Sequence, residues 1–266
     1  MNAAGTSPAK AVQTGEPARK HRVSVIMPAY NAAATIARSM ASVLSQSHPD
    51  LELIVVDDCS RDATWSLIQE AAQGDPRVVP VRLCSNQGVA AARNAGIDAA
   101  SGAYVSFLDS DDTWHPYKLV RQLRHLQATG AQISYATYRR VDERGRTLSV
   151  VRPPERIGYA DMLKSNRIGN LTGMYDRRLG DARFERIGHE DYVFWLRMVR
   201  KAGQALRLPD PSPVADYLVR DGSLSGNKLK AARWQWRIYR DVERLGAVAS
   251  GWYFAHYAGN AILKRQ

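Results

Sequence analysis

The sequence predicts an α/β chain, a parallel sheet wrapped by helices, and three observations carry that prediction. From Val23 onward short unbroken apolar runs alternate with stretches whose apolar residues fall at helical spacing. The links between them are short, as they are where consecutive strands of one sheet are joined by helices. Polar residues gather where the runs end, at Tyr30-Asn31, at Asp57-Asp58 and from Asp109 to Asp112. In parallel sheets ligands collect at the carboxyl ends of the strands, so several polar ends on one rim suggest a site.

Taken in order, residues 23–27 read as a buried strand ended by Pro28, and Ile36, Met40, Val43 and Leu44 form one helical stripe. Residues 51–56 are a second strand; Ser60 or Asp62 is placed to cap the next helix, whose stripe is Trp65, Ile68 and Ala71. Residues 78–83 read as a third strand, 88–100 as a small-residue helix and 104–108 as a fourth strand. Leu119, Leu123 and Leu126 mark a further helix. Residues 133–141 and 147–151 flank a hairpin turn at 142–146. Residues 152–171, broken by Pro and Gly, give no clear pattern. Helix returns at Glu190 with Tyr192, Trp195, Leu196 and Val199 on one face, residues 214–219 form a strand, and 227–266 read as two helices broken near Gly246.

The fourth strand gives way to three carboxylates within four positions, Asp109, Asp111 and Asp112. If the backbone stays extended there, Asp109 and Asp111 point the same way. Like charges repel, whereas a hard divalent cation accommodates one or two carboxylates and completes its shell with water and phosphate oxygens. An acidic turn that merely ends a strand fits this stretch alone equally well.

Composition narrows the classes. The 266 residues carry 37 Lys and Arg against 26 Asp and Glu, a net charge of +11, which favours phosphate-bearing or other anionic partners. Cys59 and Cys84 are too few for a disulfide scaffold or a Cys-based zinc site and suit a reducing cytoplasm. Residues 1–21 lack the apolar segment of a secretion signal and read as a disordered leader. Residues 246–263 hold no formally charged side chain but three glycines, Ser250, His256 and Asn260. That is short and polar for a membrane-crossing helix, which needs about 20 apolar residues.

Five stretches, in order, carry a resemblance over nearly all of 23–225: Val-Ser-Val-Ile-Met-Pro-Ala-Tyr-Asn31; Glu52-Leu-Ile-Val-Val-Asp-Asp-Cys-Ser60 with Asp62; Asn86-Gln-Gly88 with Arg93-Asn-Ala-Gly96; Phe107-Leu-Asp-Ser-Asp-Asp112; and His189-Glu-Asp191. The chain resembles the family 2 glycosyltransferases of GT-A fold, a Rossmann-like nucleotide-diphospho-sugar transferase sandwich, here followed by C-terminal helices. From Tyr217 onward it also resembles bacterial teichuronic-acid-type and related surface-polysaccharide transferases. The resemblance implies a catalytic domain over 22–225, with a nucleotide-sugar half (22–113) and an acceptor half (114–225), and a helical extension over 226–266.

It further implies an inverting, metal-dependent transfer of one sugar from a nucleoside diphosphate sugar, a UDP-sugar by family habit, to a hydroxyl of a glycan or lipid-linked acceptor. Pro28, Tyr30 and Asp58 would line the base pocket, with Arg93 nearby. Asp109 and Asp111 would be the Asp-x-Asp pair, Asp111 on the Mg²⁺ or Mn²⁺ ion and Asp109 on the ribose or in an outer-shell role. Asp191 would be the base and Glu190 would orient the acceptor or the base. In the first turn of its helix, the positive helix end is expected to hold Asp191 ionised. Gly88 and Gly96 are candidates for a close approach to the diphosphate, although a turn or tight packing explains them too. Arg220-Asp-Gly-Ser223 resembles a loop that folds over the donor, and a plain surface turn fits equally. His189 has no second histidine at a metal-binding spacing. The Gln-x-x-Arg-Trp motif of processive relatives is missing, since Arg233-Trp234 follows Lys230, which points to single-sugar addition. Aromatic and basic residues interleave over 226–266, as suits a peripheral contact with the inner face of the cell membrane, packing on the domain, or a homodimer.

Two other functions fit parts of the pattern. A sugar nucleotidyltransferase needs a glycine-rich loop after the first strand, and 28–34 contains no glycine. A polyanion-binding protein, including one for nucleic acid, has no need of the full carboxylate set, so no nucleic acid partner is expected.

Overall fold

The computed structural model describes residues 21–180, 182–220 and 228–263. The expected leader therefore lies outside the described residues except for His21. The elements run β1 (Val23–Ala29), α1 (Ile36–Leu44), β2 (Leu51–Asp57), α2 (Thr64–Gly74), β3 (Val78–Arg82), α3 (Val89–Ala99), β4 (Tyr104–Phe107), β5 (Thr113–Trp114), α4 (Lys118–Thr129), β6 (Ile133–Tyr135), β7 (Tyr138–Val141), β8 (Thr147–Val151), β9 (Arg156–Gly158), α5 (Tyr159–Lys164), β10 (Met174–Asp176), α6 (Glu190–Ala202), β11 (Gln204–Arg207), β12 (Ala215–Leu218), α7 (Lys228–Arg237) and α8 (Ala247–Leu263). A π-helical turn at Ile238–Val242 links the last two.

Among the described residues these strands form an eight-stranded sheet, ordered β3-β2-β1-β4-β10-β6-β11-β9, and a four-stranded sheet, ordered β5-β12-β7-β8. The first four strands of the larger sheet are parallel, and β10 inserts antiparallel between β4 and β6. Strand β1 explains the unbroken apolar runs. Val23, Val25 and Met27 face one core with α1 and α4, while Ile26 faces the other with α3. Both faces are covered, so both sets of alternating residues are mainly apolar, and the polar exception, buried Ser24, donates to Glu52.

Pro28 does not end β1, which continues to Ala29. Ile26 accepts from Leu108 on the β4 side, and Ala29 accepts from Asp58 on the β2 side. Alternation turns the Pro28 nitrogen toward β4, where pairing stops at Ile26↔Phe107 and no ladder bond is lost. The expected single strand over 133–141 is instead two strands, broken at Ala136-Thr137, which belong to different sheets. Neither proposed cap closes α2 at its N-cap position, which is Ala63; Asp62 accepts from the Thr64 amide instead.

The second core is aromatic. Phe107, Tyr175, Phe184, Phe194 and Trp195 pack together, Phe184 stacked on Phe194 at 4.2 Å between ring centres. Trp195 lies against Gly173, where a Cβ would come within 2.1 Å of its ring, and donates to Asn170 Oδ1 at 3.2 Å. This cluster seats α6, and with it the Glu190-Asp191 pair.

The C-terminal helices pack on the domain through Tyr239, fully buried and donating to Leu163 O, and through Gln235, which donates to the Tyr192 hydroxyl at 3.2 Å. Trp236, Val248 and Trp252 face outward. Among the described residues no helix is long and apolar enough to cross a membrane.

Candidate active site

The carboxyl ends of β1, β2 and β4 form one rim, and hydrogen bonds between loops fix it. Asn31 donates its amide to Ser60 Oγ and accepts from the Arg61 amide; Ala32 and Ala33 donate to Thr64 and Asp62. Pro28 is buried beneath this rim and Tyr30 is 45% exposed on it. Asp58 is buried, and its two carboxylate oxygens accept from the Gln87 and Gly88 amides, each at 2.7 Å. Gly88 can follow this path because it adopts φ +87°, a conformation other residues disfavour. Asp58 thus ties the start of α3 to the end of β2.

The acidic stretch leaves β4 as a turn rather than extended, closed by the Asp112 amide donating to Asp109 O at 3.1 Å. Its three carboxylates consequently go to different partners. Asp109 pairs with Arg93 at 2.7 Å. Asp111 lies 3.6 Å from the Arg220 guanidinium, and its carbonyl accepts from Arg38. Asp112 is buried and accepts from the Leu218 amide at 2.9 Å, joining the turn to the smaller sheet. Burial raises the pKa of Asp111, and repulsion from Asp109 adds to it. Burial raises Asp112 well above the usual carboxylate range, with the two neighbouring charges acting in the same direction.

A cavity of about 890 Å³ opens beside this turn and brings Arg93, Asp109, Asp112, Glu190 and Asp191 together. Pro28, Tyr30, Asp58 and Asp111 lie outside its lining. Arg93 is buried; burial opposes its charge, but Asp109 chiefly, with Asp191 and Glu190, holds it protonated. It also lies over the Phe184 ring at 5.2 Å. Asp191 sits in the first turn of α6, where Asn166 donates to its Oδ2 at 3.3 Å. Burial raises its pKa, while the Arg93 charge and the first-turn amide of Tyr192 favour the ionised form.

Tyr138, Asn166, Asn170 and Tyr217 also line the cavity, and none of them was singled out as a site residue from the sequence. Burial pushes the Tyr138 hydroxyl up to about 12. His189 packs edge-on against Trp234 rather than facing another metal-binding side chain. Of the suggested donor loop, Arg220 reaches Asp111, while Asp221 to Ser223 lie outside the described residues.

Among the described residues no three His, Cys, Asp or Glu side chains are grouped to enclose a metal ion. The chemistry of Asp109 and Asp111 nevertheless fits a divalent cation that takes one or two carboxylates and completes its shell with phosphate and water. Their mutual repulsion, seen in the raised Asp111 pKa, is what such a charge relieves.

A sheet that is parallel up to β4, an acidic turn at its carboxyl rim and a second carboxylate pair on a facing helix define a GT-A glycosyltransferase. Glycosyl transferase family 2 matches residues 24–200, and the chain belongs to that family. It is 40% identical over 249 residues to TuaG of Bacillus subtilis, assigned by name to teichuronic acid biosynthesis, covering 92% of this chain and 98% of the relative. It is 33% identical over 223 residues to WfaP of Escherichia coli, named as a UDP-Glc:alpha-D-GlcNAc-diphosphoundecaprenol beta-1,3-glucosyltransferase, covering 83% of this chain and 86% of the relative. Its fold is shared with S. aureus TarS 1-349 in complex with UDP-GlcNAc, at a TM-score of 0.69 and 22% identity over 89% of this chain and 71% of the other. The mannosyltransferase PcManGT from Pyrobaculum calidifontis, in complex with GDP-Man and Mn²⁺, matches at 0.67 and 19% identity over 92% and 76%.

Proposed function

We propose that the protein moves one sugar from a UDP-sugar to a hydroxyl of a glycan or lipid-linked acceptor in cell-surface polysaccharide synthesis, inverting the anomeric centre and requiring Mg²⁺ or Mn²⁺. The observation that carries this reading is the shared cavity, in which Asp109 of the acidic turn and Asp191 of α6 are drawn together around the buried Arg93. The names of the relatives support the donor and the setting.

Pro28 and Tyr30 contribute to the base pocket, and Asp58 shapes it by fixing Gln87 and Gly88. Arg93 orients Asp109, which is left to meet the ribose or the outer shell of the ion. Asp111 is the residue that would hold the ion. When bound, such an ion would offer positive charge to the diphosphate leaving group. Asp191 accepts the proton of the attacking hydroxyl, and Glu190 orients the acceptor. The hydroxyl oxygen bonds to the anomeric carbon as the bond to the β-phosphate oxygen breaks on the opposite face. The electron pair leaves with UDP and the proton goes to Asp191 Oδ. A carboxylate with raised proton affinity suits that role, because a base works best with a pKa nearer the working pH.

Residues 226–266 rest against the inner face of the membrane in this reading. Outward-facing Trp236, Val248 and Trp252, with exposed Arg233, Arg237, Arg240 and Arg244, support it. The test is UDP release from a panel of UDP-sugars with Mn²⁺ or Mg²⁺, wild type against Asp111→Asn. Equal rates in the two proteins overturn the metal role.

A further inference from the structure

The cavity carries positive charge that the proposed donor chemistry does not use. Across the smaller sheet Tyr217 pairs with Arg140 and Arg140 with Ser149. Cross-strand partners share a face, so these three form one row, and all three line the cavity. Arg152, one residue beyond β8, and Arg167, next to Asn166, line it as well. Among the described residues none of the three arginines forms an ion pair; neighbouring arginines do, Arg139 with Asp216 and Arg207 with Glu155. Four carboxylates share the lining: Asp109 is paired with Arg93, Asp112 is buried and accepts from the Leu218 amide, and Glu190 and Asp191 also act on the Arg93 charge.

A second observation points to a ligand in the same place. Asn170 is buried and lines the cavity, its Oδ1 is fixed by Trp195, and among the described residues its Nδ2 has no partner. Arg167 adjoins the residue that holds Asp191, whereas the arginines near Asp111 are Arg38 and Arg220.

We propose that the acceptor carries a phosphate close to its reacting hydroxyl, and that Arg140, Arg152 and Arg167 bind it while Asn170 donates to the same molecule. This rests on the proposed role of Asp191, which sets the acceptor side of the cavity. The phosphate belongs either to a lipid diphosphate or to a phosphodiester-bearing glycan, and the same three cations suit both.

Titration calorimetry tests this without turnover. With the donor site saturated by UDP, with and without Mn²⁺, three probes are added: geranyl diphosphate, a glycerol phosphate oligomer and octyl glucoside. At least one phosphate probe should bind and the neutral glycoside should not; which phosphate probe binds identifies the source. Arg140→Ala, Arg152→Ala and Arg167→Ala should each weaken that probe by about tenfold while UDP affinity holds. Arg140 and Arg152 are exposed and Arg167 is half-buried, so the variants should fold. Failure of both phosphate probes, equal binding of octyl glucoside, unchanged probe affinity in all three variants, or a parallel loss of UDP affinity overturns the proposal. Asp191→Asn should bind the probe like wild type, so the base assignment and the phosphate clamp can fail separately.

Discussion

Replacing Asp191 by Asn removes the proposed proton acceptor and, with it, one of the lesser charges acting on Arg93. The side chain keeps its shape, and its amide oxygen can still accept from Asn166, now 3.3 Å from Oδ2. The Arg93–Asp109 pair, at 2.7 Å, does not involve it. A positioned general base contributes about 10²–10⁴-fold, or ~2.7–5.4 kcal/mol of barrier at 1.36 kcal/mol per tenfold. Initial rates of UDP release with acceptor present should fall by that factor, while the dissociation constant for UDP stays near the wild-type value. The pH profile gives an independent reading. Burial raises the Asp191 pKa, so as pH falls through that raised value the carboxylate takes up a proton and the base is lost. The wild-type acid limb should therefore lie above the ordinary 3.8 of an aspartate, and the residual activity of the variant should lack it. A variant that retains most of the wild-type kcat, or one that loses UDP binding in proportion to its rate, refutes the assignment.

Chelation with EDTA should weaken UDP binding to wild type, whereas Asp111→Asn should show the weaker affinity with or without chelator; calorimetry compares the four cases. Gly173→Ala places a Cβ 2.1 Å from the fully buried Trp195 ring. Overpacking of this kind costs about 1–3 kcal/mol, at ~2–4 °C of Tm per kcal/mol for a chain of this size, which thermal unfolding measures. Glu52 is buried in β2; although burial pushes the other way, hydrogen bonds from Ser24 and Ser101 hold its pKa below 4.5. A depressed carboxyl stabilises the fold above its unfolded value and loses that contribution as pH falls through the folded one. Glu52→Gln should thus cost about 1.5–3 kcal/mol at neutral pH, and urea unfolding should show the gap closing in acid below 4.5.

The first half of the fold was legible because both faces of its strands are covered. Runs such as Val23 to Met27 and Leu51 to Val56 have no other reading, and the strands lie within two residues of where the runs place them. The second half rests on distant pairing. β10 is three residues long, and nothing local to Met174, Tyr175 and Asp176 announces an antiparallel strand in mid-sheet. The break at Ala136-Thr137 is hidden for the same reason, since apolar and aromatic residues continue through it. Within the site, Asp109, Asp111 and Asp191 stand out as motif residues. Asn166 and Asn170 lie on an irregular segment with no period to expose them. The destination of each carboxylate was equally hidden, because Arg93, Arg220 and the Leu218 amide arrive from 16, 109 and 106 positions away in the chain.

The late arrival of β10 bears on how a nascent chain can assemble. When β4 has left the ribosome, its outer edge has no neighbour and Phe107 has none of the aromatic partners that later enclose it. Both wait for residues 174–195, some seventy to ninety positions downstream. Pairing across that separation is slow, and an unpaired strand edge invites wrong partners in the meantime. A translation product stopped after Asp112 should therefore aggregate or stay bound to chaperones, while one extended past Ala202 should become protease-resistant.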